Sequence, residues 1–196
     1  MRVRKARQDD AATVAQLLYE SSPQIYDRFA GNRDRAIGII EHAFGEPGNV
    51  ASAEVVWLVE IEGTSAAAMS AFPIADGPAR ARTFVQLALR RVPFWLWGRT
   101  LRLYSAGTRA AREDSLYIDA LATDPALRRR GAARALLAEA EREARERGLR
   151  AVTLDTTLDN EVARALYANE GFDEVAYRAA SRALPGFVAL VRPVDR

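Results

Sequence analysis

The chain contains no cysteine and only one histidine, His42. Without cysteine there is no disulfide framework, no thiolate zinc site and no Cys-based covalent mechanism. One histidine excludes a multi-histidine metal site, although carboxylates alone could still hold Mg²⁺. No apolar run reaches the roughly 18 residues that a membrane-spanning helix needs. The N-terminal stretch MRVRKARQDD has no apolar signal-peptide core either. The expectation is a cytoplasmic protein with no membrane partner. Net charge is only +2, so the chain as a whole is no polycation. Internal repeats, low-complexity tracts and long linkers are also missing.

What remains is an ordinary globular composition. The chain has 196 residues, 49% hydrophobic and 28% charged, enough for one domain or one domain with an insertion. Residues 2–6 read as a short strand, and Asp9 or Asp10 caps a helix with an apolar stripe through Val14, Leu17 and Leu18. Pro23 ends that helix, and RDRAIGIIEHAFG predicts a second one closing at Gly45. Val55 to Ile61 and Ala66 to Phe72 flank a Glu-Gly turn, which predicts a hairpin.

Residues 73 to about 113 differ. Pro73, Gly77 and Pro78 open the segment, ARTFVQLALRR has helical spacing, and VPFWLWGRTLRLYSAG is strongly aromatic. A helical insertion packed on the domain, or forming a subunit contact through Phe94, Trp95 and Trp97, accounts for it. A homodimer is compatible with that second reading. The chain then returns to strand at DSLYIDALATDP, helix at 131–147, strand at LRAVTLDT, a short helix at DNEVARALYANEG and a closing hairpin. The long helix carries Ala133, Leu136, Leu137, Ala140 and Ala144 on one face, with Glu141/Arg145 and Glu143/Arg147 as i,i+4 pairs. Strand, turn, helix and strand between 116 and 156 form a βαβ unit, which makes those two strands parallel. The pattern predicts an α/β fold, one mixed sheet covered by helices.

Most of the 28 basic residues are arginine, and their placement matters more than their sum. In LRRRGAARALL, Arg128, Arg129, Arg130 and Arg134 crowd a helix N-terminus, whose dipole is itself positive by about half a charge. An anion resolves that conflict, because the free amides of the first turn can point at phosphate oxygens. Gly131 removes a side chain from the approach, and Ala132 and Ala133 keep the next positions small. A solvated basic helix start explains the charge run alone equally well.

The neighbouring residues add a resemblance. LATDPALRRRGAARALL resembles the acyl-CoA pyrophosphate loop of the GNAT N-acetyltransferases, R/Q-x-x-G-x-G/A, here Arg128-x-x-Gly131-x-Ala133. Before it, Leu121-Ala122-Thr123-Asp124-Pro125 resembles the end of that family's fourth strand. NEVARALYANEGF, Asn160 to Phe172, resembles its second landmark, N-x-x-A-x-x-L-Y-x-x-x-G-F. The resemblance spans most of the chain except 73–113, where the family usually passes quickly from strand to strand. It implies a mostly antiparallel sheet with one parallel pair, acetyl-CoA as co-substrate, and transfer of an acetyl group to a primary amine of a small molecule or peptide.

The same resemblance assigns roles. The backbone of Leu121, Ala122 and Thr123 would bond the pantetheine arm, and the Leu121 amide would polarise the thioester carbonyl, a contribution of about 3 kcal/mol. The amides of residues 129–134 would hold the pyrophosphate. Asn160 would contact the CoA arm, and Tyr167 would protonate the leaving thiolate. A free alkylamine has a pKa of about 10.4, so attack needs a base. Asp155 and Asp119 are the candidates, with water or Glu60 as further options. No metal is expected. Without cysteine, direct attack in a ternary complex is expected rather than an acyl-enzyme. The acceptor is expected between the first helices and the hairpin, near Tyr19, Tyr26, Phe29, Glu41, His42 and Phe44, each of which fits packing as well as contact. A non-catalytic acyl-CoA-binding protein of the same fold is the alternative. Nucleic-acid binding is disfavoured, because the basic residues cluster at one loop and the long helix alternates Glu with Arg.

Overall fold

A computed structural model of the chain describes residues 1–105, 112–181 and 184–195. A seven-stranded sheet forms its centre, in the order β1-β2-β3-β4-β5-β7-β6. Its strands are β1 (Arg2–Lys5), β2 (Val56–Ile61), β3 (Thr64–Pro73), β4 (Ser115–Thr123), β5 (Ala151–Thr157), β6 (Asp173–Arg178) and β7 (Phe187–Pro193). Only β4 and β5 run parallel, and every other neighbouring pair is antiparallel. The helices are α1 (Ala11–Ser21), α2 (Pro23–Ala30), α3 (Arg33–Gly45), α4 (Gly77–Leu89), α5 (Trp97–Ser105), α6 (Ala132–Glu146) and α7 (Glu161–Asn169).

Two apolar layers sandwich the sheet. Val14, Leu18, Ile40 and Phe44 of α1 and α3 meet Val56 and Leu58 on one face. Leu136, Leu137, Ala140 and Ala144 of α6 meet Trp57, Val59, Leu116 and Ile118 on the other. The alternation along β2 delivers successive side chains to opposite layers, as the two-residue period of a strand requires. Leu136 and Leu137 are fully buried, and each such side chain stabilises the fold by about 2 kcal/mol.

Pro23 has a second effect that its reading as a helix end does not include. It occupies the first turn of α2, where a missing N–H costs nothing, so three helices rather than two precede the hairpin. Gly31 closes α2 in the left-handed region at φ 95°, and the Asn32 side chain then caps α3 by accepting from the Arg35 amide at 2.9 Å. The 73–113 segment supplies α4 and α5, as its spacing predicts. Leu87, Ala88 and Val92 join the layer that holds Phe29 and Ala30. The Thr100 hydroxyl donates to the Phe29 carbonyl at 3.2 Å, which ties α5 to α2. Residues 106–111 of that segment lie outside the described residues.

Candidate active site

The parallel pair is short. Ser115 to Ile118 pair with Ala151 to Leu154, and there the ladder between β4 and β5 stops. Beyond that point β4 remains bonded to β3 through Thr123, and β5 to β7 through Thr157. The two strands therefore diverge and leave an opening between 120–123 and 155–157. Asp124 donates its amide to the Ala66 carbonyl at 2.8 Å, which fixes the alternation along this half of β4. Ala122 faces β3, so the N–H and C=O groups of Leu121 and Thr123 face the opening. Arg128 reaches the Thr123 carbonyl from that side, at a long 3.5 Å.

Asp119 lies where the divergence starts. Ser70 pairs with Ala120 and Ala71 with Ile118, so Asp119 is the extra residue of a β-bulge. The bulge changes the phase of the strand: Leu116 and Ile118 belong to the α6 layer, whereas Ala120 belongs to the α1 layer. Asp119 is accessible to solvent, yet desolvation by surrounding protein atoms and the charge of Asp155 push it up to about 7. Asp119 is thus an exposed carboxyl crowded by protein atoms at the start of the β4–β5 opening. Asp155, half-buried on β5, accepts a hydrogen bond from the Tyr117 hydroxyl at 3.0 Å. On the helical wall, burial and the Asp119 charge raise Tyr26, whose hydroxyl hydrogen-bonds with Ser21. The structure thus brings Asp119, Asp155, Tyr117 and Tyr26 to one side of the sheet.

Tyr167 belongs to the other side. It is 7% exposed, packs on Phe172 with ring centroids 5.7 Å apart, and shares the α6 layer with Ile118 and Leu154, the last paired residues of the two strands. Desolvation alone pushes its hydroxyl up to about 12. Asn160 caps α7, its side chain accepting from the Ala163 amide at 3.2 Å. The helix cap accounts for Asn160 in the free protein, leaving its amide nitrogen for other contacts.

The arginine loop runs from the end of β4 into α6. Gly131 stands at the N-cap with φ 83°, and among the described residues no side chain caps the first amides of the helix. A Cβ at Gly131 would meet open space, so the backbone angle, rather than crowding, demands glycine. Arg129 also adopts a left-handed φ, 61°, which is uncommon outside glycine. Of the side chains, Arg134 is held by Glu170 at 2.6 Å and Arg130 approaches Glu62 at 3.9 Å. Ala132 is buried, so its small size serves the packing of α6 on the sheet, while Ala133 is half-buried. The unbonded edge of β4 followed by uncapped amides and arginines fits an extended ligand that ends in phosphates.

Among the residues expected near the acceptor, Tyr19, Phe29 and Phe44 are core. Tyr19 donates to Asp27 at 3.1 Å. His42 is half-buried and Glu41 exposed, both on α3. Tyr117 is a site residue that sequence reasoning missed. Its signal was available: it stands two positions before Asp119 on one strand. Among the described residues no three His, Asp or Glu side chains group in a way that could hold a metal ion.

The model of the acetyltransferase (GNAT) family matches residues 46–172. No curated protein matches the chain by sequence. Among solved structures, an N-acetyltransferase from Staphylococcus aureus Mu50 superposes with a TM-score of 0.74 at 20% identity, covering 97% of this chain and 100% of that one. The protein SsHAT gives 0.68 at 22% identity, covering 100% and 98%. The ribosomal-protein-S18-alanine N-acetyltransferase from Escherichia coli gives 0.58 at 15%, covering 100% and 94%. The family match spans the splayed strands, the arginine loop and α7, and on that ground the chain belongs to the GNAT family of acetyltransferases.

Proposed function

We propose that the protein transfers the acetyl group of acetyl-CoA to a primary amine of a small molecule or peptide, by direct attack in a ternary complex, with Asp119 as the general base. The observation that carries this reading is the bulged Asp119 at the apex of the β4–β5 opening, raised to about 7. A base is most effective when its pKa lies near the working pH, and this carboxyl is tuned to that range. The Asp155 charge contributes to the raised value, which makes Asp155 a positioning and tuning residue rather than the proton acceptor.

Acetyl-CoA supplies an activated thioester and three phosphates' worth of negative charge. The Leu121 amide faces the opening and donates to the carbonyl oxygen as charge develops there. The amides of residues 129–134 and the arginine side chains hold the pyrophosphate, with Arg128, Arg129 and Arg130 nearest the loop. Tyr167 stays protonated at every working pH. An ordinary thiol has a pKa of about 8.5, so complete transfer from a phenol at about 12 is uphill by roughly 5 kcal/mol. Tyr167 therefore acts on the leaving sulfur chiefly as a hydrogen-bond donor. With no cysteine in the chain, no thiol competes as an acyl carrier.

Thiol release from acetyl-CoA, measured across amines, amino acids, aminoglycosides, polyamines and peptides, tests the proposal. Turnover with at least one class and intersecting double-reciprocal lines are expected. Release at background with every class would favour a non-catalytic acyl-CoA-binding protein, and ping-pong kinetics would sink the ternary complex.

A further inference from the structure

From Gly77 to Arg112 the sequence has eight arginines and no aspartate or glutamate, in a chain whose net charge is only +2. The inner face of this segment is accounted for, because Leu87, Ala88, Val92 and Leu96 pack into the core. A second apolar surface points outward. Phe94 and Trp95, in the turn between α4 and α5, are 74% and 68% exposed, and Trp97 and Leu101, one helical turn apart on α5, are 46% and 47% exposed. Arg90, Arg91 and Arg99 flank them, all exposed. None of these three arginines has an ion-pair partner among the described residues.

The charge selects the occupant. A symmetric dimer through this face would set one patch against its own copy, and the arginine rims would oppose each other with no carboxylate between them. The rim requires an anionic partner. The shape narrows it further. The Phe94 and Trp95 rings meet nearly edge to face, at 5.3 Å and 79°, so they offer no parallel platform for stacked bases. A protruding aromatic tip with a leucine behind it and guanidinium groups beside it matches the bilayer interface, where tryptophan and phenylalanine enter the headgroup region and cations meet phosphates. We propose that the α4–α5 turn docks peripherally on an anionic lipid surface. No helix among the described residues is long and apolar enough to cross a membrane, and this contact needs none. It revises the expectation of no membrane partner and is independent of the catalytic reading.

The test uses the full chain with vesicles of phosphatidylcholine alone and of phosphatidylcholine mixed with phosphatidylglycerol. Co-sedimentation with the mixed vesicles only is expected, weakening as salt rises. Trp57 is buried, so a blue shift in emission on binding reports Trp95 and Trp97. The Phe94→Ser/Trp95→Ser double variant should keep the wild-type melting temperature and lose at least ~10-fold in vesicle affinity. Arg90→Glu/Arg91→Glu should lose ~10-fold or more. Absence of sedimentation with anionic vesicles at low salt would overturn the proposal, as would equal partitioning of the variants. A dimer in sedimentation equilibrium that the serine variant abolishes would reassign the face to a subunit contact. Preferential binding of a DNA or RNA duplex would reassign it to nucleic acid.

Discussion

The two halves of β4 have the same backbone and opposite duties. From Leu116 to Ile118 the strand is bonded on both edges, and its side chains Leu116 and Ile118 are buried under α6. From Ala120 to Thr123 it is bonded only to β3, and its other edge is open. Asp119 separates them. The first half converts apolar burial and ladder bonds into a rigid frame, and the second half leaves its outer polar groups without a strand partner. Unpaired backbone groups are costly when buried, so such an edge persists only where water or a ligand reaches it.

Substitutions on either side of Asp119 should therefore separate activity from stability. The largest effect is expected from Asp119→Asn, a fall in kcat/KM of about 10²–10³-fold. Wild-type activity should rise with pH through about 7 as Asp119 loses its proton, and the variant should lose that limb. The sign of the stability effect is opposite. A carboxyl raised in the folded state stabilises it most below the ordinary aspartate value of 3.8, and that stability is lost as pH rises through about 7. Asp119→Asn should therefore melt higher than wild type at pH 8 and no higher near pH 4.

Ile118→Ala, one residue earlier, should do the reverse. Urea unfolding should show a loss of about 3 kcal/mol, with CoA affinity within about twofold of wild type. A large change in CoA affinity there would mean the paired half is not merely a frame. Gly131→Glu should weaken CoA binding about 100-fold, measured by calorimetry, by placing a carboxylate beside the phosphate-holding amides. Its stability cost should be only about 1–2 kcal/mol, because the space is open and the strain lies in φ. Unchanged CoA affinity would remove the loop from the donor site. The smallest effect belongs to Tyr167→Phe, about a tenfold fall in kcat with CoA affinity retained. No change at all would return Tyr167 to the core.

Most of the sheet and the turn of the arginine loop were legible because their signals are local. Gly131 and the amides that follow it form one turn of chain, and the pattern of α6 repeats over four turns. The bulge was not legible, because it is defined by partners on β3 nearly fifty residues away, between Ser70 and Ala71. For the same reason the sequence placed Asp155 ahead of Asp119 as the candidate base. Their difference arises from what surrounds each carboxyl, not from its residue type. Helix α2 was missed because proline reads as a terminator, although it also favours a helix's first position. The outward aromatic face on α5 needed the fold to show which apolar residues the core already used.

The pairing on either side of Asp119 is what an uninterrupted ladder would have, with Ile118 opposite Ala71 and Ala120 opposite Ser70. The sheet has no structural need for the residue between them. Its deletion, a single codon, would restore strict alternation along β4 and let the strand run on beside β5. The result would be a more regular sheet with the carboxyl gone. If Asp119 is the base we propose, repairing the strand would cost the enzyme its activity.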